Sequence, residues 1–158
     1  MLSIVGDTSI VTSDNMLRIL LPVDGSETAV RATQKLIEML GFYKEQPRVD
    51  LLAVHLPVPR FPNMSVVISD EMLERYYTEE CEVMLAPSKK ALDAAGVNYA
   101  AYTLVGAIAQ SIVDHAKRSE SNIIWMGTRG MTALANMLLG SVTTRVLHLA
   151  HIPVMLVH

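Results

Sequence analysis

The chain predicts an α/β domain: a single doubly wound unit with a five-stranded, mostly parallel sheet and helices on both faces. Three observations carry that expectation. Short apolar runs of strand length alternate five times with segments of helical periodicity, the pattern of a wound α/β sheet. The strand runs are continuously apolar, as in the Ile19, Leu20, Leu21 series, which fits strands covered on both faces. Glycine, serine and proline stand at the joints between the runs, where chain punctuation is expected. With 158 residues, the chain can bury one core without staples.

Composition narrows the function classes. A net charge of −3 and an aromatic content of 5% offer neither a basic field nor stacking platforms, so nucleic acid is set aside as a partner. Cys81 is the single cysteine, so no internal disulfide and no cysteine-based metal site is expected, and a reducing cytoplasm fits. No run reaches about 18 apolar residues, so no membrane span is expected. Residues 1–15 lack a basic start and a long apolar core, so they do not read as a signal peptide. They are expected to form a flexible arm, with a short edge strand as the alternative, ahead of a domain over residues 16–158.

The elements follow in order. Residues 18–23 predict the first strand, closed by Asp24, Gly25 and Ser26. Ser26 suits an N-cap. Ala29, Ala32, Thr33, Leu36, Ile37 and Leu40 then recur at helical spacing up to Gly41, a residue suited to a helix end. Residues 48–56 predict the second strand, with His55 near its end as either a ligand or a satisfied structural histidine. Three prolines at 57, 59 and 62 predict an extended loop after it. Ser69 is placed to cap a long helix with Leu73, Tyr77, Met84, Ala91 and Ala95 on one face. Pro87 is expected to bend or split it. Met72, Tyr76, Tyr77 and Met84 could line a lid, although such a stripe is ordinarily core. Gly96 ends that helix, and residues 97–105 predict the third strand. After Gly106, Ile108, Ile112, Val113 and Ala116 predict a compact helix closed by Lys117 and Arg118, whose charges suit a helix C-terminus.

Residues 123–144 carry the functional signal. A strand through Met126 runs into Gly127, Thr128, Arg129 and Gly130, and a second break at Gly140 and Ser141 precedes another helical segment. Gly127 and Gly130 can take positive φ or admit a close approach to the backbone. A helix beginning at Gly140 or Ser141 presents open amides and the positive end of its dipole, which suits phosphate. Two familiar phosphate motifs are missing. There is no G-x-x-x-x-G-K-[ST] and no G-x-G-x-x-G, so no loop lysine is available. His148 and His151 could share a metal only if the last helix persists, and no carboxylate or cysteine stands beside them, so no metal site is predicted. Arg145 reads as a surface or dimer residue. Asp24 falls at the carboxyl end of the first strand, where it serves equally as a ligand residue or as a turn carboxylate.

Gly127, two residues, Gly130, nine residues, then Gly140 and Ser141 match the G-2x-G-9x-G-[ST] signature, and the chain resembles the universal stress protein family in its adenine-nucleotide-binding branch. The resemblance extends from about residue 17 to the end and includes Pro22, Val23 and Asp24 of the opening strand and turn. The chain departs from the family at Ala107, where many members carry proline. The resemblance implies a sheet order of 3-2-1-4-5, with a site between the ends of strands one and four. It places Asp24 on the ribose, Leu56 and Val23 against the base, and Met126 and Gly127 beside the sugar, with Pro22 at the same wall. It sets Gly130, Gly140, Ser141, Val142 and Thr143 around the phosphates. Arg129 reaches a phosphate or sits in solvent, and a divalent ion such as Mg²⁺ would be held mainly by the phosphates. The implied ligand is ATP, ADP or AMP, and no catalytic residue is assigned. Residues 153–157 (Pro153, Val154, Met155, Leu156, Val157) predict an apolar last strand, and the resemblance implies a homodimer through it. The expected role is nucleotide-dependent stress sensing or regulation. A slow ATP hydrolase or autophosphorylating protein, and a nucleotide-free dimeric scaffold, are the alternatives.

Overall fold

The computed structural model describes residues 16–59, 69–130 and 139–158. The N-terminal arm and Arg60, Phe61 and Pro62 of the proline loop lie outside the described residues. Nine elements follow the predicted alternation: β1 (Arg18–Pro22), α1 (Glu27–Leu40), β2 (Arg48–His55), α2 (Asp70–Ala94), β3 (Tyr99–Val105), α3 (Ile108–Arg118), β4 (Ile123–Gly127), α4 (Ser141–Leu149) and β5 (Val154–Val157). The sheet order is β3-β2-β1-β4-β5, and every pairing is parallel.

Side chains that are adjacent in a strand leave opposite faces of the sheet, and this accounts for the continuous apolar runs. Leu21 and Leu51 enter a core with Ala32, Leu36, Leu85 and Trp125 beneath α1 and α2. Their neighbours Leu20 and Leu52 enter a second core with Ile112, Ile124 and Val146 beneath α3 and α4. Both layers are dry, and Leu20, Leu21, Leu51 and Leu52 are each 0% exposed. Burying one such side chain contributes about 1.5–3 kcal/mol. Trp125 also donates its indole N–H to the Ala32 carbonyl at 2.8 Å, which ties β4 to α1.

Serine caps hold the first two helices as the sequence predicts. Ser26 Oγ accepts from the Ala29 amide and Ser69 Oγ from the Met72 amide, both at 3.2 Å. Glycine conformation is redistributed. Gly25 and Gly96 take positive φ, +80° and +66°, whereas Gly41 ends α1 at φ −63°.

Helix α2 decides one alternative and corrects one expectation. It runs unbroken for 25 residues through Pro87, so it does not split. Proline supplies no amide to the carbonyl four residues earlier, but Leu85, Ser88 and Leu92 around it are buried and hold the helix in place. Ser88 Oγ lies 2.8 Å from Thr33 Oγ1 of α1, a buried bond beside the proline. The buried stripe is Cys81, Leu85, Ser88 and Leu92, rotated from the predicted face, and no α2 residue before Cys81 is buried.

One polar cluster lies between β2, β3 and α3, toward the amino ends of the strands. Asp50 is 1% exposed, and its Oδ1 accepts from Arg48 Nε at 3.0 Å. Arg48 Nη2 donates to the Tyr102 hydroxyl at 3.0 Å, and the Tyr102 ring stands 4.7 Å from the buried His115 ring. Asp50 Oδ2 and His115 Nε2 have no hydrogen-bond partner among the described residues. Burial pushes the His115 pKa down. Nearby Asp50 opposes that shift, and Arg118 and Arg48 reinforce it.

Candidate functional site

Reversal of strand order between β1 and β4 opens a crevice at their carboxyl ends, the usual ligand position in such sheets. Val23 extends β1 by donating its amide to Leu52 O at 2.8 Å, and Asp24 follows at the rim. Asp24 Oδ1 accepts from the Ser26 amide at 3.1 Å, so the aspartate shapes the turn into α1 as well as facing the crevice. Both readings left open for Asp24 are therefore compatible with its position.

On the opposite lip, Gly127 and Gly130 are needed for space rather than for positive φ. A Cβ on Gly127 would lie 2.8 Å from Thr28 Cγ2 and 3.1 Å from the Thr28 carbonyl oxygen. On Gly130 it would lie 2.5 Å from Asp24 Oδ2. The two lips therefore touch at Asp24 and Gly130, although the residues are far apart in sequence. Gly140 has more room, since the nearest atom to a Cβ there is Arg129 Cα at 3.4 Å.

Gly140 is the N-cap of α4 and offers no side-chain cap. Its amide is engaged, donating to Thr128 O at 2.8 Å, which draws the two glycine turns together. The amides of Ser141, Val142 and Thr143, in the first turn of α4, have no intrahelical carbonyl to donate to and point out of the helix start. Thr143 Oγ1 donates to Gly127 O at 3.2 Å, which locks α4 to the end of β4.

The crevice encloses about 390 Å³. Eleven of the twelve residues singled out from the sequence line it: Pro22, Val23, Asp24, Met126, Gly127, Arg129, Gly130, Gly140, Ser141, Val142 and Thr143. Leu56 does not. It is 55% exposed, and its carbonyl lies 2.5 Å from His55 Nδ1. Leu52 and Val54 of the same strand form the wall instead, with Ile108 and Ile112 of α3. These four, with Ala29, were not assigned from sequence, because helical and strand periodicity marks a residue as inward-facing without separating core from cleft. The result is a two-part cleft. An apolar compartment between β2, α3 and Met126 adjoins a polar compartment made by Asp24, the glycine turns and the α4 start.

Met84 alone of the four suggested lid residues lines the cleft. Tyr76 and Tyr77 pack on His55 at 5.5 and 5.3 Å between ring centroids, and the Tyr77 hydroxyl accepts from the Val58 amide at 2.7 Å. His55 is thereby accounted for structurally. Helix α4 ends at Leu149, so His148 and His151 do not share a helical face, and both are exposed, as is Arg145. No group of three metal-ligating side chains occurs among the described residues. Nor is any helix there long and apolar enough to cross a membrane.

Arg129 brings the only cationic side chain among the described residues that line the cleft. Its Nη2 donates to His158 Nε2 at 3.3 Å. His158 Nδ1 lies 3.2 Å from Thr128 Oγ1, and the Thr128 amide donates to Val157 O at 2.8 Å. The end of β5 is thus stitched to the glycine turn that follows β4.

A family model described as the universal stress protein family matches residues 16–158. The universal stress protein MJ0531 of Methanocaldococcus jannaschii is 31% identical over 141 residues, covering 89% of this chain and 81% of that protein. The solved structure of MJ0577, a universal stress protein of the same organism, superposes with a TM-score of 0.72 at 28% identity, covering 89% of this chain and 94% of the other. More distant structures share the fold. That of the Archaeoglobus fulgidus universal stress protein was solved in complex with dAMP (TM-score 0.60, 21% identity, 90% and 98% coverage). Others were solved in complex with cAMP (0.65, 20%, 90% and 97%) and, from Arabidopsis thaliana, with AMP bound (0.59, 16%, 89% and 90%).

Proposed function

The chain belongs to the universal stress protein family, and from that premise we propose that it is a member of the nucleotide-binding branch that holds ATP, or the related ADP or AMP, in the cleft between β1 and β4. The observation that carries this reading is the juxtaposition of Asp24 with Gly130, beside an apolar compartment on one side and the α4 amides on the other. Each compartment matches one part of the ligand. A purine base is flat and largely apolar on its faces, and suits the space between Leu52, Val54, Ile108, Ile112 and Met126. Asp24 accepts from the ribose hydroxyls. The Ser141, Val142 and Thr143 amides, with the Gly130 backbone, receive phosphate at a helix start. In this reading the Leu56 backbone meets the base edge at the outer rim, and Gly140 shapes the cradle without donating to it.

The role is sensing or regulation rather than turnover. Among the described residues lining the cleft, Asp24 is the only carboxylate and there is no lysine, so with Asp24 taken up by the ribose a hydrolase would lack a base to activate water. Mg²⁺ would ride on the phosphates. Residues 16–158 act as the binding unit, and the single, buried Cys81 fits a cytoplasmic location. Strand β5 is an edge of the sheet with Met155 42% exposed, and pairing of this strand with a second copy would make the homodimer.

Calorimetric titration of nucleotide-free protein with ATP, ADP, AMP and adenosine, with and without Mg²⁺, tests the reading. Micromolar binding of at least one nucleotide is expected, with no phosphate release over hours. Absence of both heat and thermal shift with all four would leave the dimeric scaffold in its place.

A further inference from the structure

Outside the compartments already assigned, the cluster of Thr128, Arg129 and His158 joins the last strand to the phosphate-side turn. Arg129 is half-buried and follows Gly127 by two residues, so a small rotation of its long side chain decides whether its charge faces the cleft or bulk water. Only one ring contact holds it among the described residues. A guanidinium can donate but not accept, so His158 Nε2, 3.3 Å from Arg129 Nη2, is the unprotonated nitrogen. The hydrogen then sits on Nδ1, where it is donated to Thr128 Oγ1 at 3.2 Å. Thr128 is itself buried, with 8% exposure, and its amide is bonded to Val157 O. The imidazole is therefore held from behind by a fixed hydroxyl and holds the guanidinium in front.

We propose that His158 is a positioning residue: in its neutral Nδ1–H form it holds the Arg129 guanidinium at the mouth of the cleft, leaving the other guanidinium N–H groups to meet ligand phosphate. Arginine normally loses rotamer freedom when it binds an anion, and fixing it beforehand removes part of that cost. A planar fork held at one nitrogen keeps its remaining donors in a set direction, which suits phosphate oxygens. The selectivity that follows is for charge on the ligand. Phosphate-bearing nucleotides should feel His158, and adenosine should not.

This inference rests on the nucleotide reading above. The experiment is a calorimetric double-mutant cycle with His158→Ala, Arg129→Ala and the pair, each titrated with ATP, AMP and adenosine at constant ionic strength and pH 7.5. Each single variant is expected to weaken ATP roughly tenfold, the size of one charge-assisted hydrogen bond at a partly wet site, and to leave adenosine unchanged. The double variant should lose little more than either single one, because the two side chains act as one unit. His158→Gln, whose side-chain oxygen can still accept from Arg129, should recover most of the loss, which a purely structural role would not require. Equal weakening of ATP and adenosine, or additive losses, would overturn the positioning role. If unaltered protein binds none of the three ligands, the nucleotide reading itself fails.

Discussion

Asp24 and Asp50 are aspartates on or beside adjacent strands of one sheet, and their surroundings differ in kind. Asp50 lies near the start of β2, with 1% exposure, and its carboxylate is tied to Arg48 while the Tyr102 and His115 rings pack beside that pair. Asp24 lies past the end of β1, half-buried, with its carboxylate against Gly130 at the rim of the cleft. Helices cover the two faces of a parallel sheet, and the crevice opens beyond the carboxyl ends of its strands where the order reverses. The same side chain is therefore tied into a buried polar cluster at one end and set at the rim of the cleft at the other. Position along the strand, rather than residue type, separates the two roles.

The largest effect that tests this contrast is on stability. Asp50→Ala removes the acceptor of a charge-assisted bond in the interior and opens space beside His115, and is expected to lower unfolding free energy by about 2–3 kcal/mol. Urea denaturation reads that loss, while nucleotide affinity should stay within about twofold of the parent. A stable Asp50→Ala protein that had lost nucleotide binding would erase the distinction between the two ends.

Asp24→Ala should do the reverse. The nucleotide and adenosine dissociation constants are each expected to rise about tenfold or more, equivalent to about 1.4 kcal/mol, because the ribose acceptor serves both ligands. The lost Asp24 bond to the Ser26 amide should cost stability only about 0.5–1.5 kcal/mol. Parallel calorimetry and thermal melts on one preparation separate the two terms.

The smallest effect concerns acid. His115 has its pKa lowered in the folded protein, chiefly by burial, so the unfolded chain binds a proton that the native state resists. Stability is then complete above the ordinary histidine value near 6.5 and declines as pH falls below it. The slope contributed by this one group cannot exceed about 1.4 kcal/mol per pH unit. Urea midpoints measured between pH 7.5 and 5.5 should fall for the parent and fall less for His115→Gln. An identical decline in both would assign the acid sensitivity elsewhere.

How far each region was legible in the sequence follows the same division. The strands and helices could be read because apolar runs and 3.6-residue periods record burial directly, and the boundaries of β1, β4 and α4 fell within one or two residues of expectation. The polar compartment was legible because glycine at 127 and 130 reflects steric contact with Thr28 and Asp24, which no other residue tolerates without movement. The apolar compartment was not. Leu52, Val54, Ile108 and Ile112 carry the same signature as a filled core, and only coordinates show that they face a void. Asp50 left one sign, a charge inside the otherwise apolar second strand, and the neighbouring His115 left none. The unbroken α2 shows tertiary packing overriding a local helix breaker.

Trp125 gives the molecule a built-in optical gauge. It is the single tryptophan in the chain, sits on β4 one residue before Met126 of the cleft wall, is 6% exposed, and bonds through its indole to α1 at Ala32. Its ultraviolet emission therefore originates at the seam between the strand that carries Gly127 and the helix that begins after Asp24. Any occupant that spreads these two elements lengthens the indole bond and admits water, moving the emission to longer wavelength. A change of shape at the cleft can thus be followed in time without attaching a label.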